Sequence, residues 1–119
     1  MTKWKKYKLD VYEAEFWVCI TDDSVGALSS AKCAEKFGNI EPREGSAFAV
    51  CSWPIVGVVL PVDCDHNTVA HECTHAALGV YGSIDAKAPR ISDEPFCYLC
   101  GWLADKVYKS FNKIGVKVK

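Results

Sequence analysis

The chain has 119 residues and a formal net charge of −1; half of its residues are apolar and 12% are aromatic. This length allows a single domain over residues 1–119 with one hydrophobic core, and the composition is globular rather than disordered. The near-neutral charge gives no argument for nucleic acid or an anionic membrane as a partner, so we expect neither.

The seven cysteines and the amino-terminal residues indicate a cellular compartment. No segment approaches the roughly 20 apolar residues that cross a bilayer, and no apolar stretch of a secretory signal follows the first lysines. An odd number of cysteines in such a chain predicts reduced thiols, most of them packed in the core. We therefore expect a cytoplasmic protein.

The first half of the chain predicts strand followed by helix. Residues 7–20 alternate between apolar and polar side chains, with a change of phase near Tyr12. This pattern predicts one long strand with a bulge, or two short strands. A helix is expected from the cap candidates at residues 22–24 to Gly38, and a loop over residues 39–46.

Two apolar runs follow the loop, over residues 46–53 and 55–62, on either side of Pro54. They predict two further strands, which can form a hairpin. Gly57 and Pro61 lie within the second run. Because these residues are disfavoured in central strands, they predict that this strand lies at a sheet edge.

Two helices complete the chain. The first begins at a cap, Asp65 or Asn67, and ends at Gly82; the second spans about residues 92–112. The resulting order, roughly β-α-β-β-α-α, predicts an α+β fold. We expect a small antiparallel or mixed sheet of about three strands, packed on the two carboxyl-terminal helices.

The first of these two helices carries the sequence H-E-C-T-H at residues 71–75. Side chains four residues apart lie on one face of a helix, so His71 and His75 can both reach one ion at the Zn–N distance of about 2.0–2.1 Å. Glu72 lies beside them and can accept a proton from water instead of binding the metal. A separate apolar stripe is expected to face the core: Val69, Cys73, Ala76 and Val80.

A catalytic zinc site needs a third protein ligand in addition to two histidines. Glu94 is our candidate, because it points away from the apolar face of the last helix. The alternative is that Glu94 has no ligand role and its negative charge only stabilises the positive amino-terminal end of the helix. Cys97, one turn further on, is the rival ligand. The cluster at residues 64–66, C-D-H, can contribute to the site, although a strand end and a helix cap explain it better.

The longer sequences around these residues resemble a known family. H-E-C-T-H-A-A-L followed by D-E-P-F-C-Y-L-C-G-W-L resembles the small HExxH proteins encoded by bacteriophages and prophages, over about residues 66–105. A glutamate nineteen residues after the second histidine resembles the gluzincin pattern. The resemblance implies a zincin-like fold with His71, His75 and Glu94 as zinc ligands and Glu72 as general base. It also implies a sheet edge that pairs with an extended substrate.

The sequence therefore predicts a zinc-dependent hydrolase, in the first place a small phage-type metallopeptidase that acts on a peptide or protein in the bacterial cytoplasm. One alternative is a non-catalytic protein that binds a host or phage partner, with zinc holding its last two helices together. Another is a metal-free α+β interaction domain. Several side chains remain candidates for stabilising the reaction's oxyanion: His66, Tyr81, Arg90 and Tyr98.

Overall fold

The computed structural model describes residues 1–41 and 43–119. Four strands form one mixed sheet: β1 (Thr2–Leu9), β2 (Ala14–Thr21), β3 (Phe48–Ser52) and β4 (Ile55–Pro61). Their order across the sheet is β1-β2-β4-β3, with β2 and β4 parallel and the other two pairs antiparallel. The α+β class is confirmed, with one strand more than expected.

The change of phase near Tyr12 marks the connection between two strands. A 3₁₀ turn over Asp10–Tyr12 ends β1, and Glu13 adopts a left-handed conformation with φ of 50°. The chain then returns antiparallel, so that Leu9 pairs with Ala14. Of the two arrangements that the alternation allows, the pair of strands is therefore confirmed.

The single helix expected before Gly38 is instead divided into α1 (Ser24–Leu28) and α2 (Ala31–Phe37). The side chain of Asp23 accepts a hydrogen bond from a backbone N–H at the start of α1. The side chain of Ser30 does the same for α2, so an internal cap interrupts the helix. Gly38 ends α2 as predicted, with φ of 75°.

The described residues of the predicted loop over 39–46 contain no helix or strand, and Pro42 lies outside the described residues. The edge position predicted for β4 is wrong, because β4 lies between β2 and β3. The presence of glycine at position 57 has another explanation: a Cβ atom there would lie 2.7 Å from the Phe37 ring and 2.9 Å from the Trp17 carbonyl oxygen. Close packing therefore explains this glycine in a central strand.

The last two helices are α3 (His66–Ser83) and α4 (Glu94–Lys113). Asp65 and Asp93 cap them, in agreement with the sequence, and α3 ends one residue later than predicted. The two helices run antiparallel, since the start of α3 meets the end of α4. No helix in the described part of the chain combines the length and the apolar character that crossing a membrane requires.

Two apolar clusters lie on opposite faces of the sheet. The larger one joins β1, β2 and β4 to α3 and α4, and the smaller one lies under α1 and α2. The edge strand β3 contributes to both: Phe48 and Val50 belong to the smaller cluster, whereas Ala47 and Ala49 pack against the larger. Consequently β3 presents small side chains to α3, beside the two histidines.

Candidate metal centre

Helix α3 brings His71 and His75 together on its exposed side. Their ring centroids are 4.9 Å apart and the ring planes are inclined by 70°. Together with Glu72, they offer ligand atoms that all lie within 4.8 Å of one another. Neighbouring ligand atoms on a tetrahedral ion with bonds of about 2 Å are about 3.3 Å apart. Small side-chain rotations are therefore enough to bring these ligand atoms to the separation that an ion requires. His71, Glu72 and His75 could therefore hold a metal ion.

Glu72 differs from the histidines in its surroundings. Only 8% of this residue is exposed, yet none of the ion pairs or side-chain hydrogen bonds between described residues involves it. No fully enclosed side-chain oxygen among the described residues lacks a hydrogen-bond partner, so the carboxylate oxygens of Glu72 must open onto the adjoining cavity. A buried carboxylate without a partner costs free energy, and a cation or a transferable proton in the cavity offsets it.

The cavity beside these three residues has a volume of about 400 Å³. The loop at residues 43–47, strand β3 and helix α3 line it. Ala49 forms part of the wall, and Gly79 lets the helix approach Cys51, since a Cβ atom at Gly79 would lie 3.3 Å from Cys51 Cβ. The small residues thus leave space in front of the histidines, next to the free backbone edge of β3.

The structure does not bring Glu94 into this group. Glu94 is exposed at the start of α4, directly after Asp93, whose carboxylate accepts a hydrogen bond of 3.0 Å from the Tyr81 hydroxyl. Tyr81 follows His75 by six residues, or about 9 Å along the helix axis. No described residue of α4 lines the cavity. The ligand role of Glu94 stays a prediction.

The other ligand candidates from the sequence have separate structural roles. Cys97 is exposed on α4, outside the group. His66 Nδ1 lies 2.6 Å from the Tyr108 hydroxyl, in hydrogen-bonding contact with it. Hydrogen bonds from Thr68 lower the pKa of the capping Asp65 carboxyl group. The structure therefore supports the helix-cap explanation of the C-D-H cluster.

Cys73 lies inside the H-E-C-T-H sequence and faces the core. It is 2% exposed, and burial raises the pKa of its thiol to about 12. Its position in the core places this cysteine outside the group formed by His71, Glu72 and His75. The apolar stripe predicted for α3 is confirmed, because all of its members are buried: Val69, Cys73, Ala76 and Val80.

The sequence analysis missed Arg43, Glu44 and Cys51, all of which line the cavity. No local pattern indicates them, because the strand that borders α3 is determined by pairing between segments far apart in the chain. None of the four oxyanion candidates from the sequence lines the cavity.

Comparisons of the chain with protein-family models, with curated proteins and with solved structures found no match. The resemblance to phage-encoded HExxH proteins therefore rests on the residues quoted above and stays a prediction. The geometry around His71, Glu72 and His75 is the observation from which a function can be argued.

Proposed function

We propose that this protein is a zinc-dependent hydrolase that cleaves peptide bonds, a small HExxH metallopeptidase acting in the cytoplasm. One observation carries the proposal: the buried carboxylate of Glu72 opens onto the cavity next to two exposed histidines and has no partner among the described residues. A metal site with a purely structural role does not need such a group. A hydrolytic site needs it as a general base.

The donor set fits zinc. Imidazole nitrogen is a common zinc ligand, and a catalytic site leaves one position open to water or substrate. His71 and His75 would hold the ion on the side of α3 that borders the cavity. The chemistry that a bound zinc ion supplies is Lewis acidity, which activates water and polarises a carbonyl group.

The protein's own groups perform the remaining tasks. Glu72 takes the proton from the attacking water and passes it to the leaving amine. Strand β3 is an edge strand with an unpaired backbone on its outer side. An extended peptide can add to that edge by β-augmentation, and the adjoining cavity offers room for the scissile bond.

The alternative binding protein, in which zinc joins the last two helices, has less support. The residues that line the cavity come from the 43–47 loop, β3 and α3, and none comes from α4. The three possible ligands all belong to α3, so an ion bound there would not join α3 to α4. Nor does this alternative explain the unpartnered Glu72 carboxylate.

Metal content and peptide cleavage, measured on the same preparations, test the proposal. We expect one zinc per chain and cleavage in the unmodified protein, zinc without cleavage in Glu72→Gln, and neither in His75→Ala. His66→Ala is the matched control, because His66 contacts Tyr108 away from the cavity, so it should keep both. A protein that binds no zinc, or binds zinc and cleaves no peptide of a mixed library, would overturn the proposal.

A further inference from the structure

Arg43 is the only lysine or arginine among the described residues that line the cavity. Its guanidinium carbon lies 5.5 Å from the centre of the Phe48 ring, within range of a cation–π contact. Gly45 brings the loop backbone against the same ring, since a Cβ atom there would lie 3.1 Å from it. The loop thus wraps Phe48, and the guanidinium of the exposed residue Arg43 lies over this buried side chain.

No described carboxylate neutralises this guanidinium. None of the ion pairs between described residues involves Arg43, although Glu44 is its neighbour and also lines the cavity. An arginine without a carboxylate partner keeps its planar set of donors free for a ligand.

Arg43 could contact either the oxyanion at the metal or a more distant part of a bound peptide, and its position distinguishes these two roles. Phe48 packs into the cluster under α1 and α2, on the face of the sheet opposite α3. A guanidinium over that ring therefore lies across the β3 edge from the helix that carries His71 and His75. This position suits contact with a distant part of a peptide lying along β3, rather than with the oxyanion that forms at the metal.

We propose that Arg43 binds a carboxylate of the peptide and so selects acidic substrates, an inference that rests on the proposed peptide hydrolysis at this site. A carboxylate matches the guanidinium in a bidentate pair, which neutral side chains cannot form. The carboxylate comes either from an Asp or Glu side chain or from the peptide's carboxyl terminus. Repulsion by Glu44 and Glu72 restricts where along the peptide it is accepted.

Peptide binding to the Glu72→Gln protein, loaded with zinc and measured by fluorescence anisotropy, tests this directly and without turnover. One set of peptides carries a single Asp, moved along an otherwise neutral sequence with an amidated end. A second pair has no acidic residue and differs only in a free or amidated carboxyl terminus. The first set tests side-chain recognition and the pair tests terminal recognition.

We expect one Asp position, or the free terminus, to bind roughly tenfold more tightly than the neutral peptide. Arg43→Ala in the same background should abolish the preference, and Arg43→Lys should lose most of it because lysine lacks the planar donors. Lys87→Gln is the control: it removes a positive charge from an exposed residue outside the cavity and should keep the preference.

Equal binding of all peptides, no measurable binding of any, or a preference that survives Arg43→Ala would overturn the assignment of Arg43. Cleavage by the unmodified protein is scored separately with the same peptides. Cleavage without an Arg43-dependent preference refutes the inference alone. An Arg43-dependent preference without cleavage refutes the proposed hydrolysis and leaves carboxylate recognition in place.

Discussion

Glu72→Gln should make the metal-free protein more stable while it removes activity. Glu72 is 8% exposed and has no partner among the described residues, so folding removes part of the water around its carboxylate and supplies no protein donor in exchange. Glutamine has nearly the same shape and is neutral, so its burial costs less. The residue proposed as general base is thus one that the fold holds at a cost in stability.

The magnitude follows from how much water the carboxylate retains. An unpartnered buried polar group costs about 1–3 kcal/mol. Because the oxygens of Glu72 open onto a cavity of about 400 Å³, we expect the low end, a gain of about 1 kcal/mol for Glu72→Gln. In a domain of this size, that gain raises Tm by about 4 °C.

Thermal unfolding by calorimetry, with a chelator and then with zinc, measures the effect. Zinc at a hundred times its Kd should add about 2.7 kcal/mol to each protein that binds it, so retained binding is visible in the same experiment. Glu35→Gln makes the same change at an exposed position on α2 and should stay within about 0.5 kcal/mol of the unmodified protein. A metal-free Glu72→Gln protein that is no more stable than the unmodified one would refute the reasoning.

Two further substitutions test the site and the sheet. The protein with Glu94→Gln should keep its zinc affinity in a metal-binding titration, because Glu94 is not among the side chains whose ligand atoms lie together at the histidines. A loss of about tenfold or more would instead support its predicted ligand role. Gly57→Ala should lower the free energy of unfolding in urea by about 1–3 kcal/mol, because its Cβ would lie 2.7 Å from the Phe37 ring. Gly82→Ala, which meets nothing within 4 Å, is the matched control, and equal effects of the two would contradict the close packing at Gly57.

The errors in the sequence-based fold share a physical cause. Gly57 predicts an edge strand by its residue type, but the glycine reflects the proximity of Phe37 and Trp17, which are distant in sequence. The division of the helix before Gly38 was missed because Ser30 has two roles open to it, as a helix residue or as a cap. Its side chain caps a backbone N–H of the second helix.

The site residues also differ in whether local sequence or distant contacts determine their positions. His71, Glu72 and His75 belong to one helical turn, so helical periodicity alone places them together. The position of Glu94 relative to them depends on how far α4 is displaced along α3, which the Tyr81–Asp93 contact shows and no local pattern encodes. Arg43 reaches the cavity because β3 is the edge strand beside α3, which pairing between distant strands determines.

Local patterns were enough to predict the α+β class, the caps of the last two helices and the grouping of His71, Glu72 and His75, since these arise from residues close together in the chain. The order of the strands, the edge that borders the site and the residues that line the cavity follow only from the folded structure. These features depend on hydrogen bonds and packing between segments far apart in the sequence. Their partners are selected by the whole fold rather than by local propensity.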